Sequence, residues 1–129
     1  MFLPEFDRDY LLEKGYQFEE KIDISTGQKG LIIKHWILPV GKFNFQTVDL
    51  LVLIPNGYPE IRPDMWYFNP GIVLDSTNRP ARQTEANINF AGLVWQRWSR
   101  HFPANEWRSG IDGIHTYLKK VEAALEVAL

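Results

Sequence analysis

Pro55-Asn56-Gly57-Tyr58-Pro59-Glu60-Ile61-Arg62-Pro63 divides the chain. Two prolines flank a tyrosine within five residues, so the segment can be neither a helix nor a central strand. Everything before it reads as one short helix and three strands. Everything after it reads as one strand, a long polar stretch, an aromatic segment and a helix.

Upstream, Glu5 to Lys14 places Phe6, Tyr10 and Leu11 at helical spacing, and Gly15 supplies the stop. Tyr16 to Ile24, Gly30 to Leu38 and Gln46 to Ile54 then read as strands. In the third, Val48, Leu50, Val52 and Ile54 share one face and Asp49 lies on the other. The connections Ser25–Lys29 and Pro39–Phe45 are short, which makes successive strands antiparallel neighbours.

Downstream, Met65 to Phe68 reads as a fourth strand closed by Asn69-Pro70-Gly71. Ile72 to Phe90 is polar and irregular, the mark of a functional loop or of a missed element. Ala91 to His101 is expected to be a short helix or a packed loop. Ser109-Gly110-Ile111-Asp112 has the form of a capping box. Behind it Ile111, Ile114, Leu118, Val121 and Leu125 form one helical stripe. Strands and helices are segregated, so the expected class is α+β: an N-terminal helix, a four-stranded antiparallel meander, a proline flap and a C-terminal helix packed on the sheet. With 129 residues and no linker or repeat, residues 1–129 read as one domain.

Composition narrows the chemistry. The chain has no cysteine, which excludes disulfides, thiolate metal sites and thiol nucleophiles. A net charge of −2, from 14 basic and 16 acidic residues, gives no global field for nucleic acid or anionic membrane. Three scattered histidines do not suggest a metal site, and no cofactor motif is visible. No apolar run approaches a membrane span, and Met1 to Glu5 lacks the form of a secretory signal, so cytoplasm is the expected compartment.

The least ordinary feature is Trp95-Gln96-Arg97-Trp98-Ser99-Arg100-His101, followed by Trp107-Arg108-Ser109-Gly110-Ile111-Asp112. Tyr58-Pro59 with the later Pro63, and Ser99 standing eight residues before Trp107, resemble the ubiquitin-conjugating-enzyme (UBC-like) superfamily. The Trp-Gln-Arg-Trp-Ser-Arg-His run is similar to its bacterial branch, prokaryotic family E. The resemblance covers nearly the whole chain. It implies a component of a bacterial ubiquitin-like conjugation pathway. Its implied partners are a ubiquitin-like modifier, a ThiF-type activating enzyme and a JAB-type peptidase.

Two departures weigh against the superfamily's usual chemistry. There is no His-Pro-Asn motif, and no cysteine to form a thioester. A thiol suits acyl carriage because its pKa near 8.5 leaves a useful thiolate fraction at neutral pH. A serine hydroxyl needs a neighbouring base and gives a less reactive oxyester.

The candidate catalytic residues are therefore Ser99 and His101. Such a serine is most often a polar turn or capping residue. His101 reads as base, as nucleophile or as a loop-holding hydrogen-bonder. The candidate binding residues are Trp95, Arg97, Trp98, Arg100, Tyr58 and Pro59. The tryptophans also read as core anchors, and Arg97 and Arg100 as partners of Glu106 or Asp112. Two other functions compete: a non-catalytic, RWD-like adaptor, and a Ser/His hydrolase for which no nucleophile elbow is present.

Overall fold

The computed structural model describes residues 1–100 and 102–129; His101 lies outside the described residues. Its elements are α1 (Glu5–Glu13), β1 (Phe18–Ile22), β2 (Lys29–Ile37), β3 (Thr47–Ile54), β4 (Trp66–Asn69), β5 (Asn87–Phe90), β6 (Leu93–Trp98), a 3₁₀ turn at Ala104–Glu106 and α2 (Ile114–Val127). The class is α+β. The sheet has six strands rather than four, all antiparallel, in the order β1-β2-β3-β4-β6-β5.

One sequence expectation needs correction here. Within the stretch expected to be a short helix or a packed loop, Leu93–Trp98 is a strand paired on both sides. Trp95 and Trp98 are three apart, which imitates helical spacing. On a strand that interval sends them to opposite faces, and both faces are buried at this point, so no alternation shows. The polar stretch before it ends in β5, which reaches β6 through Ala91-Gly92. Both turn residues have positive φ (51° and 80°), as a two-residue hairpin of the favoured hand requires.

One sheet face carries the main core. Val48, Leu50, Val52 and Ile54 of β3 meet Leu11 of α1 and Ile114, Leu118, Val121 and Leu125 of α2 there. The opposite face holds a second cluster, Ile32, Leu51, Tyr67, Phe90 and Trp95, to which neither helix contributes. That face is closed by the sheet's own curl. Phe90 lies so near Gly30 that a Cβ there would stand 2.5 Å from the ring. The buried Asp23 joins the two hairpin ends: one carboxylate oxygen accepts from Ser25 and the other from the Ala91 N–H at 3.3 Å.

The expected capping box is also corrected. Helix α2 begins at Ile114, and Ile111 is exposed rather than part of the core stripe. Asp112 accepts instead from the Arg108 N–H within the preceding turn. The first turn of α2 is closed from another element: the Ile114 N–H donates to Asp7 Oδ1 of α1 at 3.2 Å. This is a capping bond across the helix pair.

The N-terminal segment is fastened by Glu20 on β1. Its carboxylate accepts from the Phe2 and Leu3 N–H groups at 2.8 and 2.7 Å and pairs with Arg8 at 2.9 Å. Burial alone raises the Glu20 pKa, but these hydrogen bonds outweigh it and hold it down at about 2, against an ordinary 4.5. A depressed carboxylate pKa stabilises the fold above the unfolded value and loses that contribution as pH falls toward the folded one. The advantage of the native chain over Glu20→Gln, measured by urea unfolding, is therefore expected to shrink by about 1–2 kcal/mol between pH 7 and pH 3, allowing for solvent screening. An advantage unchanged by pH contradicts this.

Candidate functional site

The site is built where β6 leaves the sheet. Trp98, the last residue of the strand, is fully buried on the helix-covered face. It stacks on Trp66 (6.3 Å, 23°) and meets Phe43 and Phe68 edge-on. Its indole N–H donates to Gln96 Oε1 at 3.0 Å. The Gln96 amide in turn pairs with both the N–H and the C=O of Ile72 (3.0 and 2.9 Å), fixing the long connection to β6.

Beyond Trp98 the chain passes between three anchors. The Ser99 N–H donates to the Gln83 carbonyl at 3.1 Å. Gln83 is a non-glycine residue at φ 59°, a conformation that persists only where its surroundings enforce it. Arg100 lies over the Trp98 ring at 4.7 Å, and its Nη1 donates to the Ser99 and Arg82 carbonyls (2.7 and 3.1 Å). Burial lowers its pKa. Phe102 stacks on Trp66 (6.3 Å, 18°) with Arg62 and Lys120 at 5.3 and 4.8 Å from its ring centroid. The Phe102 carbonyl accepts from Arg62 at 2.9 Å. Ser99 and Arg100 are half-buried, so the segment reaches solvent while its backbone is fixed.

The 55–63 segment is held to the same region. The Trp107 indole N–H donates to the Pro59 carbonyl at 2.8 Å, and its ring lies 6.4 Å from that of Tyr58. The Tyr58 hydroxyl donates to Asp7 Oδ2. Burial and the adjacent Asp7 carboxylate push the Tyr58 pKa well up, so it stays a protonated donor. Asp7 thus ties α1, α2 and the Tyr58 segment together while itself only 2% exposed.

The structure separates the candidate residues. Trp98, Ser99 and Arg100 share this neighbourhood, whereas Tyr58 and Pro59 lie by Trp107 and the first turn of α2. Trp95 is fully buried on the other sheet face, its indole N–H on the Phe90 carbonyl at 3.1 Å, and Arg97 pairs in register with Tyr67. Neither arginine takes Glu106 or Asp112, which pair with Lys120 and Arg108. Sequence reasoning missed Asp7, Gln83 and Phe102. For Asp7 a signal existed: Leu3, Asp7 and Leu11 follow at intervals of four, so an acid sits on the buried face of α1. Nothing in the sequence marks Gln83 or Phe102.

Chemically the site offers one hydroxyl and several cations. Among the described residues no cluster of His, Asp and Glu is placed to hold a metal ion. No helix among them is long and apolar enough to cross a membrane. The model of a protein family described as prokaryotic E2 family E matches residues 3–128. No curated protein and no solved structure matches the chain.

Proposed function

Because the chain belongs to prokaryotic E2 family E, we propose that it is the conjugating-enzyme-like component of a bacterial ubiquitin-like protein pathway. It works in the cytoplasm and receives or positions a ubiquitin-like modifier handed on by a ThiF-type activating enzyme. A JAB-type peptidase belongs to the same system. The observation that carries this reading is the anchoring of Ser99–Arg100 between the Gln83 turn and the Trp98 ring, with Phe102 beyond it between Arg62 and Lys120. Half-buried Ser99 and Arg100 on a backbone held by Gln83 suit holding the end of another chain.

With no cysteine the transfer cannot run through a thioester. If the modifier is carried covalently, the Ser99 hydroxyl attacks its activated carbonyl and His101 accepts the hydroxyl proton. The activating enzyme's thiol then leaves, and an oxyester remains. Arg100, Trp98, Tyr58 and Pro59 hold the acceptor loop and the facing surface. Arg97 and Trp95 stabilise the strand that presents it.

The test mixes the protein with its activating enzyme, modifier and ATP and resolves the products on a denaturing gel. An adduct that hydroxylamine cleaves and that Ser99→Ala or His101→Ala abolishes supports covalent transfer. Binding of the modifier without adduct supports positioning alone. The absence of both adduct and binding refutes a role in the pathway.

A further inference from the structure

We infer that Arg97 is a catalytic residue of the transfer through Ser99: its guanidinium takes the negative charge that forms on the acyl donor's carbonyl oxygen as the Ser99 hydroxyl attacks. This role rests on the proposed function. It puts the reacting atoms on the sheet face that neither helix covers.

The backbone sets that direction. Arg97 and Ser99 donate their N–H groups to the same side, to the carbonyls of Ala86 and Gln83 at 2.8 and 3.1 Å. In an extended chain, groups two residues apart point the same way, and so do their side chains. From Ala86 to Gln83 the partner segment advances three residues while β6 advances two, and the positive φ of Gln83 absorbs the extra one as a bulge. The intervening residues agree. Trp98 lies in the helix-covered core, and Arg100 rests on its ring and borders Ala124 of α2. Ser99 therefore shares the opposite face with Arg97, whose partner across the ladder is Tyr67. Two residues along a strand span about 7 Å, within the reach of an arginine side chain.

Arg97 is also singular in its pairing. Its Nε is shielded from solvent and has no acceptor among the described residues. Trp36, Trp66, His115 and Tyr117 leave buried polar atoms unpaired as well, but of the five only arginine is permanently charged. A buried charged donor left open in the resting fold suits an acceptor that arrives during function. Tyr67 supplies a second donor. It is 7% exposed, and burial raises its pKa, with Arg97 lowering and Asp64 raising it, so the hydroxyl stays protonated.

The step needs no further reactant. Ser99 Oγ bonds to the carbonyl carbon of a thioester, and its proton passes to the base. The C=O electron pair moves onto oxygen, where the Arg97 Nε–H and the Tyr67 O–H receive it. The pair then returns, the C–S bond breaks, and the thiolate leaves with the proton.

The experiment treats the full chain with a small thioester, N-acetylglycine benzyl thioester, and follows acylation by intact mass and peptide mapping. Neither activating enzyme nor modifier is needed. Acylation at Ser99 is expected. Arg97→Gln should slow it at least about 100-fold at saturating thioester, with KM within about threefold, and Tyr67→Phe about tenfold. Arg97→Lys, which keeps the charge, should recover at least about tenfold of the loss. Thermal unfolding identifies an assay temperature at which the variants are folded. No acylation of Ser99, an Arg97→Gln rate within about threefold of wild type, or an Arg97→Lys rate no faster than Arg97→Gln overturns the inference. Modifier binding without thioester acylation of Ser99 removes the catalytic role of Arg97 alone. Acylation with neither adduct nor modifier binding removes the pathway role alone.

Discussion

Trp98→Ala is expected to cost about 4 kcal/mol of folding stability, the upper part of the range for deleting a fully buried indole. The side chain touches Trp66, Phe43 and Phe68, and its N–H donates to a glutamine that also anchors Ile72. Truncation leaves a cavity beside Trp66, Phe68 and Phe43 and leaves the Gln96 oxygen with one donor fewer. It also removes the surface on which Arg100 rests. Trp95→Ala should be destabilising as well, but its ring lies on the other sheet face. It therefore leaves the placement of Arg100 intact. Urea unfolding followed by fluorescence reads both losses. A loss under about 1 kcal/mol for Trp98→Ala means the indole is not packed as described.

Asp7→Ala is expected to cost about 3 kcal/mol, although it removes only one small side chain. Two buried donors, the Tyr58 hydroxyl and the Ile114 N–H, lose their acceptor together, and α2 loses a negative charge at its first turn. Tyr58→Phe removes one of those donors and is expected to cost about 1 kcal/mol. The two changes should be less than additive, because with Phe at position 58 the missing carboxylate strands one donor rather than two. Additive costs in denaturant unfolding place Asp7 and Tyr58 in separate networks. The bond matters for the site because Tyr58 packs near Trp107 and Pro59 accepts the Trp107 indole N–H, so Asp7 sets where the proline segment sits relative to the loop beyond β6.

Most of the framework was legible because its signals are local. Val48, Leu50, Val52 and Ile54 share the face of β3 under the helices, opposite Asp49 and Leu51, and Ile114, Leu118, Val121 and Leu125 repeat at helical spacing. Strand β6 was hidden for the opposite reason: with Trp95 and Trp98 buried on opposite faces, a strand reads like a short helix. The turn before it uses Ala91-Gly92, which is a weaker hairpin signal than Asn-Gly. The start of α2 was misplaced because its first turn is closed by Thr116, whose Oγ1 accepts from the Gly113 N–H, and by Asp7, 107 residues before Ile114, and no pattern around Ser109 carries that information. The same limit applies to the site. Ser99, Arg100, Tyr58 and Pro59 stood out by motif, whereas Gln83 and Phe102 take part only through tertiary contacts.

The absence of cysteine separates family membership from thioester chemistry. What remains common to covalent and non-covalent versions of the proposed role is the surface that meets the modifier. Titrating the isotope-labelled chain with the ubiquitin-like modifier and mapping the shifted amides tests that surface directly. The expected footprint is continuous over Arg62, Arg82–Gln83, Ser99–Phe102 and Lys120. A footprint confined to the β1 edge or the β5–β6 turn, with those residues unmoved, contradicts it.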